Sequence, residues 1–284
     1  MEWEDREESS NVEDRRGIGP KGLAVGGGGI GIVIVIVALL LGVDPRKFLG
    51  PGGVAPVAQQ NGQPDPQEEK LAHFTKVIFG DTERVWDEQF RKMGKQYRKP
   101  TLYLYTAEVQ SGCGFTESSV GPFYCPADEK VYIDLSFYRD MERQLNAPGD
   151  FARAYVVAHE VGHHVQNLLG YSARAEKGRR SGNDLEAHHA SVRLELQADY
   201  LAGVWAHYGQ EKYHFLQRGD IESALNAANQ IGDDRLQRKA RGTVNPDTFT
   251  HGKSEQRMRW FKAGFDSGDI AGAAKLFDLP YERL

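Results

Sequence analysis

Ala158-His159-Glu160-Val161-Gly162-His163-His164 is the stretch on which the reading of this sequence turns. It contains the pattern H-E-x-x-H. Residues i and i+4 of an α-helix lie one above the other on one face, so His159 and His163 can reach a single metal ion. Glu160 then sits to the side, next to a water on that metal. A zinc ion in a hydrolytic site takes three protein ligands and keeps a fourth position for water. Two ligands are visible in this stretch, and a third has to come from elsewhere in the chain.

Working outward, Asp150 is a helix-capping residue type and Gly170 a helix-ending one, which predicts a helix over Phe151 to Leu169. Ala152, Val156, His159, His163 and Gln166 fall along one side of it. The polar stretch from Tyr171 to Gly182 carries Arg174, Lys177, Arg179 and Arg180 and reads as a solvated loop. Asn183 or Asp184 then caps a long helix running to about His207. That helix contains Glu195 and Asp199, again four apart and on one face. Leu194, Leu196, Ala198, Tyr200, Leu201 and Val204 surround them, which suits a buried acidic pair in need of a partner. If the two helices pack antiparallel, Glu195 becomes the third ligand. Asp199, one turn along, can accept the outward N–H of a ligating imidazole and fix its tautomer.

Further upstream, Leu71, Phe74, Val77 and Ile78 follow a helical period, and Asp81 is placed to cap a second helix through Val85, Trp86 and Phe90. Leu102 to Tyr105 and Val131 to Leu135 are β-prone runs. Downstream, Gly219-Asp220 opens a helix through Ile221, Leu225, Ala228 and Ile231. Thr243 to Phe249 reads as a loop, and Ser254 caps a last helix with Trp260, Phe261 and Phe265. The expectation is an α+β fold, mostly helical with a small sheet. The Val131 to Phe137 stretch is a candidate sheet edge to which a substrate backbone could add.

The chain has 284 residues, a net charge of -5 and a pI near 6.0, which argues against a nucleic-acid partner. Its hydropathy is very uneven. From Leu23 to Val43 the sequence LAVGGGGIGIVIVIVALLLGV has no charged residue and is long enough to cross a hydrocarbon core. Its exit reads Leu41-Gly42-Val43-Asp44-Pro45, without a small-x-small cleavage site, so it reads as an uncleaved signal anchor. Arg15, Arg16 and Lys21 before it favour an N-terminus inside and a domain outside, although Arg46 and Lys47 follow. The expected organisation is a cytoplasmic tail over 1–22, a transmembrane helix over 23–43, a Pro/Gly/Gln-rich linker over 44–67, and the soluble domain over 68–284. Cys113 and Cys125 are the two cysteines. A disulfide between them would contribute about 3 kcal/mol by the chain-entropy argument and would persist in a periplasm or outside a cell.

NVEDRRG (Asn11 to Gly17), CGFTESSVGPFYCPADEKVYIDLSFY (Cys113 to Tyr138), GDFARAYVVAHEVGHHVQNLLG (Gly149 to Gly170), RLELQADYLAGVWAH (Arg193 to His207) and HGKSEQRMRWFKAGF (His251 to Phe265) together resemble a bacterial family of neutral zinc metallopeptidases. Its members are membrane-anchored and of gluzincin type. The resemblance implies a zincin-like domain with Zn²⁺ held by His159, His163 and Glu195, and Glu160 as catalytic base. Thr250-His251-Gly252 is similar to a Thr-His-Pro element of related integral-membrane gluzincins, with Gly252 in place of proline; it makes His251 the candidate oxyanion donor. The function expected is hydrolysis of peptide bonds in a peptide or protein substrate by Glu160-assisted attack of water on zinc. Two other readings are a zinc-stabilised, catalytically silent protein that binds peptides or partners, and a metal-dependent hydrolase of a non-peptide bond.

Overall fold

The computed structural model describes residues 1–17, 65–180 and 182–284. The expected transmembrane helix over 23–43 and all but the end of the linker lie outside the described residues. Among the described residues no helix is long and apolar enough to cross a membrane.

The first helix, α1 (Pro66–Lys92), starts with proline at its first position and with the Asp65 side chain accepting from Gln67 N–H. It is one continuous helix where the sequence reading has two. Asp81 does not cap. Its carboxylate is fully buried and pairs instead with Arg6 at 2.7 Å and Arg84 at 2.6 Å. A mid-helix carboxylate with two guanidinium partners has no call to break the ladder.

Arg6 belongs to the segment expected to be a separate tail, and here the structure corrects the sequence reading. Residues 1–17 are part of the domain. Val12–Asp14 forms β1, paired in parallel with β2 (Thr101–Tyr105) in the register Val12 to Leu102. Trp3, considered from the sequence as an interfacial side chain, is buried in the main core. Its ring meets Phe74 edge-on at 5.1 Å and its Nε1 donates to Asp150 at 2.9 Å. Arg16 pairs with Asp14 at 2.7 Å and Glu69 at 3.0 Å. The segment has no apolar period, and several of its side chains are anchored by ion pairs instead: Arg6, Glu13, Asp14 and Arg16. A single crossing between residues 17 and 65 would put β1 and β2 on opposite sides of a bilayer; their pairing requires one side.

The four-stranded sheet runs β1-β2-β6-β5, with β6 (Lys130–Asp134) parallel to β2 and β5 (Phe123–Cys125) antiparallel to β6. Leu102, Leu104, Val131 and Ile133 alternate onto the face that joins the main core. On the other face Tyr132 stacks on Phe123 and meets Tyr103 at a tilt, centroids 4.7 and 5.0 Å apart. A hairpin of β3 (Glu108–Ser111) and β4 (Gly114–Glu117) follows β2. Because β6 is paired on both sides, the expected edge at Val131 to Phe137 does not exist; Ser136–Arg143 is already helix α2. The edge is β5.

The remaining elements are helical. α3 (Asp150–Leu169) ends at Gly170, whose φ of +83° is the left-handed conformation glycine adopts without strain. Asp150 is its first residue, not its cap, and serves Trp3 and Arg153. α4 (Tyr171–Arg179) occupies the expected polar loop. α5 (Asp184–Tyr213) is capped by the Asn183 side chain, which accepts from Leu185 and Glu186 N–H. α6 (Asp220–Gln230), α7 (Asp233–Arg241), α8 (Ser254–Ser267) and the short α9 (Lys275–Asp278) complete the α+β fold.

Candidate metal centre

Two helices supply the centre, and one glycine sets their separation. Gly162 lies on α3 between the two histidines. A Cβ there would come within 3.0 Å of the Ala198 carbonyl oxygen on α5. The bare glycine lets α5 lie against α3, and Glu195 on α5 reaches both rings. His159 Nε2 is 3.2 Å from one Glu195 oxygen and His163 Nε2 is 3.5 Å from the other. One ligand atom from each of the three residues lies within 4.8 Å of the others. The expected ligands His159, His163 and Glu195 are thus brought together.

Whether the cluster suits a metal is decided by the outer ring nitrogens. His159 Nδ1 donates to Asp199 at 2.9 Å. His163 Nδ1 is 2.8 Å from Gln166 Oε1; since Gln166 Nε2 donates to the Leu194 carbonyl at 2.6 Å, its oxygen must face the ring and the ring must donate. With each Nδ1 donating outward, both imidazoles turn Nε2 towards the same point as a Glu195 carboxylate oxygen. Two imidazoles and a carboxylate form a zinc donor set of hydrolytic type.

Asp199 is where the sequence reading placed it and does more than expected. Fully buried, it accepts from His159, from the Tyr155 hydroxyl at 2.5 Å, and from Arg257 Nε and Nη2 at 2.8 and 3.0 Å. Burial alone would push its pKa up; Arg257 and His159 hold it down at about 2. Burial pulls His159 down, but the Asp199 charge and hydrogen bond, with Glu195, take it up to about 10. A cation bound by the cluster would take the place of that proton on Nε2. His163 is lowered by burial to about 4 and so presents the neutral ring that a metal requires.

Glu160 lines the same cleft, 8% exposed. Burial raises its pKa to about 7, which matches a group that takes and returns a proton near neutrality. His164, excluded from the ligand set by its helical face, is indeed turned away: its Nε2 donates to the Arg98 carbonyl at 2.6 Å and its Nδ1 accepts from the Tyr124 hydroxyl at 3.0 Å.

His251 lines the cleft outside the donor cluster. The buried Asp233, at the start of α7, holds it through three backbone N–H groups, those of Thr250 (2.8 Å), His251 (2.6 Å) and Gly252 (3.0 Å). Its second oxygen is 3.3 Å from His251 Nδ1. Burial lowers the pKa of His251, and the Asp233 hydrogen bond and the nearby Glu195 charge raise it by more. Nδ1 is also 3.0 Å from the Thr250 hydroxyl, and when the ring carries both protons it has an N–H left on Nε2 to donate. The departure at Gly252 has a geometric reason: its φ is +91°, and proline is fixed near −65°. This loop is a different turn, built on Asp233.

Asp233, Arg257 and Tyr155 were not singled out from the sequence. Arg257 sits within the matching stretch His251 to Phe265, but a buried arginine gives no periodic signal. Its 2% exposure was the missing clue.

The cleft encloses about 540 Å³ and is bordered by the edge strand β5, α2, α3, and the segments around Ile231 and Thr250. Cys113 and Cys125 are disulfide-bonded, Cα atoms 5.8 Å apart, so the hairpin tip is stapled to β5 where β5 borders the cleft.

Residues 1–276 match the family described as "Putative neutral zinc metallopeptidase". The uncharacterized protein YpfJ of Escherichia coli K12 is 50% identical over 279 residues, covering 95% of this chain and 97% of that one. The uncharacterized protein Rv2575 of Mycobacterium tuberculosis is 40% identical over 252 residues, 82% of each chain. No solved structure matches.

Proposed function

The chain belongs to this neutral zinc metallopeptidase family, and from that premise we propose that it is a membrane-attached peptidase of gluzincin type with His159, His163 and Glu195 as zinc ligands. The observation that supports this most is the pair of Nε2 atoms converging with Glu195, each ring fixed by an outer acceptor, beside a buried glutamate. Zinc held there would lower the pKa of a bound water towards 7 and polarise a carbonyl.

The protein's own groups then have separate tasks. Glu160, poised near neutrality by burial, takes a proton from the attacking water and returns it to the leaving amine. His251, held by Asp233, donates to the oxygen on which charge develops. β5, the free edge beside Glu160, offers backbone groups to an extended peptide. Attachment through residues 23–43 remains part of the proposal, and the disulfide supports a periplasmic or extracellular domain. Residues 1–17 share that side through β1.

Glu160→Gln tests the reading. We expect zinc content unchanged and peptide cleavage lowered about 10²- to 10⁴-fold, the usual range for losing a general base. Undiminished cleavage by the purified variant would remove Glu160 from the mechanism. Equal inactivity of wild type and variant on a broad peptide mixture would favour a silent zinc-binding protein.

A further inference from the structure

We propose that a cationic pocket adjoining the cleft binds a carboxylate of the peptide substrate, two or more residues from the scissile bond; the inference rests on the peptidase reading above. The pocket encloses about 470 Å³. Three of its lining residues are cations from one helix. Arg235, Arg238 and Lys239 stand at i, i+3 and i+4 on α7, so their side chains share a face. That face is exposed, while Leu236 and Gln237 between them are buried and hold the helix against the domain. Lys239 Nζ donates to the Gln144 carbonyl at 2.7 Å, which ties α7 to the end of α2 at the pocket.

The charge of the pocket is not cancelled from within. Asp234 is the one carboxylate in its lining, and an oxygen of it accepts from the N–H and the hydroxyl of Ser254, each at 2.8 Å, at the start of α8. Among the described residues neither Arg235 nor Arg238 has an ion-pair or hydrogen-bond partner for its side chain. Two guanidinium groups one helical turn apart suit a planar carboxylate, which each can hold through parallel N–H bonds. Place decides whose carboxylate it is. Gln144, Leu145 and Leu236 border both this pocket and the cleft that contains His159, Glu160 and His163. A ligand in the cleft can therefore continue over that rim. An extended peptide advances about 3.3 Å per residue, so the far side of the rim is met beyond the residues that flank the reacting carbonyl. An acidic side chain and a free C-terminus offer the same two oxygens.

The test uses one neutral peptide sequence carrying Glu, Gln or Lys at each position in turn, each made with a free and an amidated C-terminus. Zinc-loaded, full-length Glu160→Gln protein in detergent is titrated with these peptides by calorimetry. Glu at one position should tighten binding about three- to tenfold over Gln, the yield of two exposed ion pairs, and Lys should weaken it. The gain should shrink as salt is raised above about 0.1 M. Arg235→Gln with Arg238→Gln should erase the difference, and Arg235→Glu with Arg238→Glu should invert it in favour of Lys, a reversal that misfolding does not produce. A gain that follows the free terminus instead of Glu would sustain the pocket and make the chain end its occupant. Wild-type protein then cleaves the same peptides, and mass spectrometry should place the favoured acid a fixed two or more residues from the cut. A favoured acid directly at the cut would overturn the placement. Equal binding of Glu and Gln peptides with either terminus, or a preference unmoved by both double variants, would overturn the pocket. Charge preference in binding without any cleavage would sustain the pocket and overturn the peptidase reading; cleavage indifferent to charge would do the opposite.

Discussion

Asp199 shows how much one buried carboxylate can organise. It fixes the tautomer of His159, holds the Tyr155 hydroxyl and neutralises Arg257, all without touching the ligand point. Asp199→Asn keeps the shape and loses the charge, so zinc affinity should fall about 10- to 100-fold in a chelator competition. The melting temperature should fall as well, because Arg257 is left buried without its counter-charge. A variant with unchanged zinc affinity would show that Asp199 serves packing alone. His159, Glu160, His163, Glu195 and Asp199 were legible in the sequence because i, i+4 spacing is a property of the helix itself. Asp233 and Arg257 were not, because their meaning comes from partners brought up by tertiary packing. Arg257 is 58 residues from Asp199.

At the level of elements, glycines set the distances between helices. Gly162 keeps α3 and α5 at ligand-sharing distance, and Gly203 and Gly264 do the same for α5 and α8: a Cβ at Gly203 would stand 2.1 Å from the Phe261 carbonyl oxygen. Gly162→Ala should destabilise by about 1–3 kcal/mol in urea titration. It should also lower zinc content, since α5 must retreat and carry Glu195 with it; full zinc occupancy would mean the helices yield elsewhere. α3 and α5 could be read from period and flanking cap residues. α4 could not, because its nine residues have little apolar face. β1 was missed for another reason: three residues with two acids give no alternation to detect. Its charges make a pH prediction. Burial raises the pKa of Asp14, but Arg16 and Lys76 hold it down at about 2. A depressed carboxylate stabilises the folded form above its unfolded value and stops doing so as pH falls, here from about 4 to about 2. Hydrogen exchange at β1 should accelerate in that window, and Asp14→Asn should flatten the response.

For the whole molecule, the main revision is that the first seventeen residues are structural. Trp3→Ala should cost about 3–5 kcal/mol, the usual range for emptying an aromatic site in a core. Urea denaturation followed by circular dichroism measures it, and a loss below about 0.5 kcal/mol would return the segment to the status of a tail. The α+β class, the helix pair and the cluster could all be anticipated, since each follows from local pattern plus one packing step. Strand order could not: β1 pairs with a strand ninety residues away, and nothing local records it. That pairing also has a consequence in time. Synthesis delivers β1 first, and its partner exists only after α1 and β2 have been made. Loop closure over such a span costs only a little more than over a short one, so the delay, not the equilibrium, is the burden. The leading strand of a nascent chain therefore stays without its partner until Tyr105 has been made.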